Sequence, residues 1–561
     1  MSEIYDIAND YVERYAALNP FSATSIGVPG YDDKMADFSP QGADANADLK
    51  SRTIAALQAA AVEGERDRIA KEAMLDDLRT DLDTHDAGEH LRSLRVLGSP
   101  FQSIRMIFDL MPRDTEEHWR NIAARMALVP QGLSSYRQSL AEGMRLSSTS
   151  SRRQAEGCAQ QARVWSGEDG NNGAKTFFHE LIDAFDAAGV ASDALRGDLT
   201  AGADAAASAY ADFGRFLTDE YLHAASSQDG VGEERYALAS RAFNGVELDF
   251  AETYAWGWEQ LRWVESEMAK TAERILPGAG VEAAKELLET DPDRAIEGVD
   301  AFQRWMQELQ DTTIAELNGT HFDIPEPVKR IEAMIAPPGG ALAMYYTAPS
   351  EDFSRPGRTW YPTGGKTRFP LWGEASIAYH EGVPGHHFER GIAKYLTSEL
   401  SRFQTAMGGT SGYIEGWALY AERLMAELGY LRNPDYYLGM LRAQALRSVR
   451  VIIDIGMHLG YAIPADADFH PGEAWSPELG LEFIRQRSHF PPDFVASEVD
   501  RYLGMPAQAI SYKVGEREWL DARDDAKRRK GANFDLKEFH TRALNLGPMG
   551  LAQMRREMAR V

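Results

Sequence analysis

Three of the chain's 13 histidines fall within eight positions beside an acid, in the segment IAYHEGVPGHHFE (377–389). His380 and Glu381 form one pair, and His386 and His387 form a second. Zinc hydrolases need two imidazoles on one metal and a carboxylate nearby to take a proton from water at that metal. The familiar solution is H-E-x-x-H on an unbroken helix, where i, i+4 spacing sets both imidazoles on one face. Here position i+4 is Pro384. On an unbroken helix His386 would stand roughly 9 Å along the axis and about 120° away from His380. Zn–N bonds of about 2.0–2.1 Å forbid one ion from reaching both. Pro384, however, lacks the N–H owed to the carbonyl of His380, and its ring collides with that carbonyl. Gly385 adopts backbone angles that other residues avoid. A Pro-Gly bulge is therefore expected to return His386 to the face of His380. His387 takes that place if the bulge is one residue larger, and otherwise points elsewhere and supports the site from behind.

Two histidines leave zinc short of a third protein ligand, and a Glu from a following helix is a usual supplement. The segment GTSGYIEGWALYAERLMAELGYL (409–431) reads as such a helix. Glu415, at its N-terminal end and 29 residues after His386, is the expected ligand. Glu422 shares its face about 10 Å further along, where it would hydrogen-bond a ligating imidazole. The competing reading is two solvated carboxylates. Trp417, Leu419 and Tyr420 argue against it for Glu415 and leave it open for Glu422.

Further on, Arg450, Asp454 and His458 recur at i, i+4 and i+8 in an otherwise apolar helix, a single polar stripe. A buried Asp454 would orient His458 for catalysis, and a satisfied structural ion network is the alternative. In SEVDRYLGMPAQAISYKVGEREWLDAR (497–523), Tyr512 could donate to the oxyanion of a tetrahedral intermediate. Arg501 or Lys513 could grip a substrate carboxylate. All three would otherwise be ordinary surface residues.

The elements that must position these groups are mostly helices. Residues 3–17, most of 43–145, 240–275 and 281–318 carry helical periodicity, with Pro277-Gly278 parting the last two. LSSTSSRRQ (146–154) is a loop or a helix start, and EDGNNGA (168–174) and SSQDGVGEE (226–234) are loops. WSPELGLEFIRQR (475–487) has Ser476 as N-cap and Pro477 at the first helical position, and reads as scaffold. The stretch 321–372, dense in proline, glycine and aromatics, predicts short strands. Such a sheet could offer an edge to an extended peptide, with Tyr346 as a substrate-binding residue, or it is merely a surface hairpin. No internal repeat or long linker interrupts the chain. The expected fold is a mainly α, single large domain, with a helical half (1–320) and a metal-binding half (321–561).

Bulk properties narrow the function. Of 561 residues, 44% are hydrophobic and 26% charged, the balance of an ordinary globular protein. A net charge of −27 argues against a phosphate-rich partner, so no nucleic acid is expected. One cysteine, Cys158, precludes an intrachain disulfide. The acidic N-terminus lacks the basic and apolar regions of a signal peptide. The most apolar window, 449–463, is too short and polar for a bilayer. These features predict a cytoplasmic protein with no membrane contact, and leave an oligomer open.

HEGVPGHHFE, YIEGWALYAERL, RSVRVIIDIGMH and EVDRYLGMPAQAISYKVG resemble the bacterial family called domain of unknown function 885, as do NPFSATSIG and YYTAPSEDFSRPG. The resemblance spans nearly the whole chain. It implies a mostly helical zincin of the glutamate-ligand kind, similar to thimet oligopeptidase, angiotensin-converting enzyme and Taq carboxypeptidase. It further implies zinc on His380, His386 and Glu415, Glu381 as general base, and Tyr512 placed like the transition-state tyrosine of those peptidases. Three departures stand out: Phe388-Glu389 replaces the usual Leu-Gln, PAQA replaces PGQA, and YAIPADADFHPGE (461–473) looks inserted. The expected activity is hydrolysis of an amide bond in a small peptide or peptide-like molecule. Lyase or isomerase chemistry on a metabolite is the second expectation, and a binding protein with a relict zinc site the third.

Overall fold

In the computed structural model, which describes residues 2–168, 175–336 and 344–561, the chain is mainly α with a few short strands. The loop expected at 168–174 (all but Glu168) and the segment PPGGALA (337–343) lie outside the described residues. Contacts divide the chain into two compact units. One comprises Met1–Val62, Leu78–Val231 and Asp500–Met505, and the other Glu63–Asp77, Gly232–Val499 and Pro506–Val561.

The first unit is organised by the Ala-rich helix Asp193–Phe216, against which Glu116–Ala127, Val129–Arg145, Arg152–Ser166 and Phe177–Ala187 pack. Small residues let these neighbours approach closely: a side chain at Gly202 would meet Met126, and one at Gly214 would meet Ala162. Phe101 stacks on Trp165 and Phe213 at the centre, Tyr210 meets Phe101 and Trp165 edge to face, and the Tyr210 hydroxyl donates to the Phe101 carbonyl (2.9 Å). LSSTSSRRQ resolves into a loop that ends at Ser151, where the helix Arg152–Ser166 starts.

The second unit joins Gly232–Val499 and Pro506–Val561 to the short stretch Glu63–Asp77, and so takes in helices on both sides of residue 320. Phe250–Ile275 lies along Pro434–Leu459, which ties helices of the expected N-terminal half to the metal-binding half. The two long helices expected at 240–275 and 281–318 are four: Gly232–Asn244, Phe250–Ile275, Gly280–Thr290 and Val299–Leu317. Asp249 caps the second through the Glu252 N–H (2.9 Å). Pro292, which has no N–H to give, follows the end of the third. As expected, Ser476 caps Pro477–Arg487 (3.2 Å to the Leu479 N–H).

Strands form in the expected stretch. Gly357–Tyr361 is central, parallel to Ile331–Ile335 and antiparallel to Tyr345–Thr347. Arg368–Pro370 pairs instead with Ala295–Glu297, a partner outside that stretch. The outer edge of Ile331–Ile335 is closed by side chains: Gln303 and Gln307 donate to the carbonyls of Ala333 (2.7 Å) and Ile331 (3.0 Å), and Gln307 accepts from the Ala333 N–H (2.8 Å). A peptide adding to this sheet is left with the Tyr345–Thr347 edge.

Candidate metal centre

The helix that carries His380 and Glu381 (Glu374–Glu381) stops, and a new one (His386–Tyr395) starts at His386. The expected bulge is thus a complete break. The Val383–Pro384 peptide is cis. The Gly385 N–H donates to the Tyr379 carbonyl (3.0 Å) and the His387 N–H to the Gly382 carbonyl (3.1 Å). Gly385 is folded so tightly on the first helix that a Cβ there would lie 2.0 Å from the His380 carbonyl oxygen and 2.4 Å from that of Tyr379. Only glycine fits. This approach puts the rings of His380 and His386 edge to face, 4.8 Å apart. Trp417 fastens the turn from the neighbouring helix, its indole N–H donating to the Pro384 carbonyl (2.8 Å).

That neighbour, Ser411–Glu427, supplies both carboxylates expected of it. Glu415 Oε2 lies 3.4 Å from His380 Nε2 and 3.4 Å from His386 Nε2. Donors at about 2.0–2.1 Å from a tetrahedral metal stand about 3.3–3.4 Å from one another, so the spacing fits a shared zinc ion. Glu415 Oε2 is also buried without a hydrogen-bond partner, a state that carboxylate oxygens rarely keep. The imidazole charges, above all that of His386, outweigh burial and hold the Glu415 carboxyl well below the usual range. Ligand-capable atoms of His380, Glu381 and His386 also lie within 4.8 Å of one another. Glu381 is thus a rival third donor. Glu415 is the better one, because it meets both imidazole nitrogens at bonding geometry.

Glu422, fully buried, accepts from His380 Nδ1 (2.8 Å) and from the Ser376 hydroxyl. A carboxylate only accepts, so Nδ1 keeps its proton, and Nε2 is the nitrogen that would give up its own to a metal. Burial works against an imidazolium here, but the carboxylates of Glu415 and Glu422 outweigh it and raise His380 to about 10. Burial pushes the Glu381 carboxyl up, partly offset by His386 and His380.

His387 faces away. Its Nε2 donates to the Val328 carbonyl (2.7 Å), its Nδ1 accepts from the Tyr346 hydroxyl (3.1 Å), and it is wholly buried. Burial lowers it to about 4, so it stays neutral. Tyr346, expected to touch substrate, spends its hydroxyl on this histidine, with its ring 6.4 Å from that of His386.

Tyr512 stacks on His380, ring centroids 6.4 Å apart. Its helix, Ser511–Lys530, presses on Ser411–Glu427 through glycines. A Cβ on Gly416 would meet Gly515 backbone at 2.4 Å, and one on Gly515 would meet the Gly412 carbonyl oxygen at 1.9 Å. A family model described as "Bacterial protein of unknown function (DUF885)" matches residues 20–558. The chain belongs to this family. Solved structures share the DUF885 chain's fold. One is described as a "putative lipoprotein" from Colwellia psychrerythraea (20% identity, TM-score 0.82, 100% of this chain and 99% of that one). Another is a "putative lipoprotein of unknown function" from Shewanella oneidensis (18% identity, TM-score 0.72, 99% of each chain). No curated protein matches the chain significantly.

These neighbours overturn the cytoplasmic expectation: both are described as lipoproteins and cover nearly the whole of this DUF885 chain. A single cysteine and an acidic surface suit either side of a membrane, which is why composition misled. No described helix is long and apolar enough to cross a bilayer.

The other candidates are placed as follows. Lys513 is fully buried and bonded to Gln444 (2.7 Å) and Glu516 (2.6 Å), so its ammonium is committed internally. Arg501 belongs to the first unit, where its guanidinium lies over the Tyr502 ring. His458 and Asp454 form their own buried group: Asp454 Oδ2 accepts from the Tyr236 hydroxyl (2.6 Å) and the Ala507 N–H (2.9 Å), and Oδ1 lies 3.8 Å from His458 Nε2. Arg450, the third member of the stripe, pairs with Glu498 (2.6 Å). Of the DUF885 departures, Glu389 adds no net charge, because Arg390 neutralises it (2.7 Å). Sequence reading passed over Arg447 and Trp417's role. The signal for Arg447 was present: a second arginine, one turn before Arg450, on the same apolar helix.

Proposed function

We propose that this chain is a zinc-dependent hydrolase that cleaves an amide bond in a small peptide or peptide-like substrate. The observation that carries the reading is the buried, unbonded Glu415 Oε2, 3.4 Å from two imidazole nitrogens, with Glu381 alongside. His380, His386 and Glu415 would hold the ion. Bound zinc supplies Lewis acidity towards the substrate carbonyl and acidifies water. Glu381, poised by burial above the ordinary carboxylate range, takes a proton from the attacking water and passes it to the leaving amine. Tyr512, whose ring stacks on His380, would donate its hydroxyl to the developing oxyanion. Glu422 and Ser376 lock the tautomer and orientation of His380.

The test is Glu381→Gln. Zinc content should be retained while turnover falls on the order of 10²-fold or more, and oxygen from ¹⁸O-labelled water should enter the product of the wild type. A fully active variant, or product free of solvent oxygen, sinks the reading.

A further inference from the structure

Arg447 stands in the helix Pro434–Leu459 and is 9% exposed. Its guanidinium has one hydrogen bond among the described residues, from Nη1 to the carbonyl of Ala443 at the outer limit of 3.5 Å, and its Nε is buried with no acceptor. Its neighbour Arg450, also buried, is held by Glu498 at 2.6 Å. A buried arginine without a carboxylate carries a desolvation cost that some anion ordinarily offsets. The location says which anion. Arg447 lies over the Tyr512 ring, 5.5 Å from its centroid, and that ring stacks on His380. Its charge also reaches Glu381, whose carboxyl burial pushes up and Arg447 helps hold down. Glu381 is occupied with the histidines, so the guanidinium's planar fork remains for a ligand.

We propose that Arg447 is a specificity-determining residue that binds the free carboxylate of a substrate's C-terminal residue, so that the enzyme removes single residues from short peptides or N-acyl amino acids. The inference rests on the amide-hydrolase reading and sharpens it. A guanidinium meets a carboxylate with two parallel N–H···O bonds, which an ammonium cannot match. One residue spans about 3.3–3.6 Å, and a single aromatic ring separates the guanidinium from His380, which favours a terminal carboxylate close to the scissile bond over one many residues away. Lys513 cannot serve this role, because its ammonium is already bonded on the protein side.

The experiment uses zinc-replete full-length protein and two probes, acetyl-Ala-Phe and its C-terminal amide. Wild type should prefer the acid in KM, and Arg447→Met should lose that preference on the order of 10- to 100-fold with zinc content unchanged. Calorimetry with acetyl-Phe and acetyl-Phe-amide reads the same contact without turnover. Acid-selective binding that disappears in Arg447→Met supports the inference even where neither peptide is cleaved, an outcome that would overturn only the hydrolase reading. Equal handling of acid and amide by wild type, or a preference that survives in Arg447→Met, overturns it. Arg447→Lys, which keeps the charge and loses the fork, covers a methionine variant that does not fold: it should retain part of the preference, and full retention counts against the proposal.

Discussion

Tyr512 and Lys513 are adjacent in sequence, yet they face two buried charged groups of opposite kind. Around Lys513 the bonding closes on itself. Its ammonium donates to Gln444 and Glu516, and Gln444 donates to the other oxygen of Glu516 (2.7 Å). Around Tyr512 it does not: Glu415 Oε2 and Arg447 Nε are both buried without a partner. Burial, charge and supporting helices are shared. What separates the groups is completeness: the polar atoms of one are satisfied within the protein, and those of the other are not.

The largest test of this contrast compares His386→Ala with His387→Ala. The first removes an open donor, and should take zinc from about one per chain to none after dialysis. The second removes a histidine whose two nitrogens are already bonded, and should leave zinc bound while costing stability. Metal analysis decides, and zinc lost equally from both variants would break the distinction between the two histidines.

The closed group should behave in the reverse way. Lys513→Met leaves buried Glu516 with only the Gln444 amide and Arg423, 3.6 Å away, which costs up to about 3–5 kcal/mol in denaturant unfolding, with zinc content unaltered. Pairing it with Glu516→Leu should recover most of that loss, because the closed group serves packing and not ligand binding. A double variant that folds well but loses zinc would show that the two groups are coupled.

A smaller effect is expected at Glu422, which supports the open group from behind. Glu422→Ala should weaken zinc binding by about 10- to 100-fold. It should also flatten the pH dependence. In the metal-free protein His380 is raised to about 10. Its proton therefore stabilises the fold fully below the ordinary imidazole range, and that contribution is lost as pH rises through about 10. Zinc must displace this proton, so affinity should climb with pH across the neutral range. Without Glu422 the proton is held less firmly, and the climb should be shallower. Zinc titrations at several pH values read both effects.

How much of this was legible beforehand differs by distance along the chain. The histidine spacing, Pro384-Gly385 and the Glu415–Glu422 interval are local, and they led to the donors that the structure brings together. The mainly α character and the strands near residue 350 followed from composition and periodicity. The roles of Lys513, Arg447 and His387 were not legible, because each depends on what a distant segment presents: Gln444 and Glu516, the Tyr512 ring, the Val328 carbonyl. The packing of Phe250–Ile275 on Pro434–Leu459 was hidden for the same reason, since it leaves no mark on either helix alone. Compartment was misread because charge and cysteine count constrain chemistry more than address.

The mildest test concerns the third buried polar group, that of Asp454. Its oxygen is met by the N–H of Ala507, which holds a φ of +63°, the left-handed region that favours glycine. This is the alanine of PAQA, at the position where the family resemblance leads one to expect glycine. A non-glycine residue there costs roughly 1–2 kcal/mol, while glycine gives back about 0.4–1 kcal/mol through a freer unfolded chain. Ala507→Gly should therefore stabilise by about 1 kcal/mol or less, read from the denaturant midpoint. Ala507→Val, branched at Cβ in the same conformation, should destabilise by more. Neither should alter zinc content, because Asp454 Oδ2 is held by Tyr236 and Ala507, away from the histidines of the candidate metal centre. A change in zinc affinity in Ala507→Gly would place Asp454 and His458 with the open group after all, and would return His458 to the catalytic candidates.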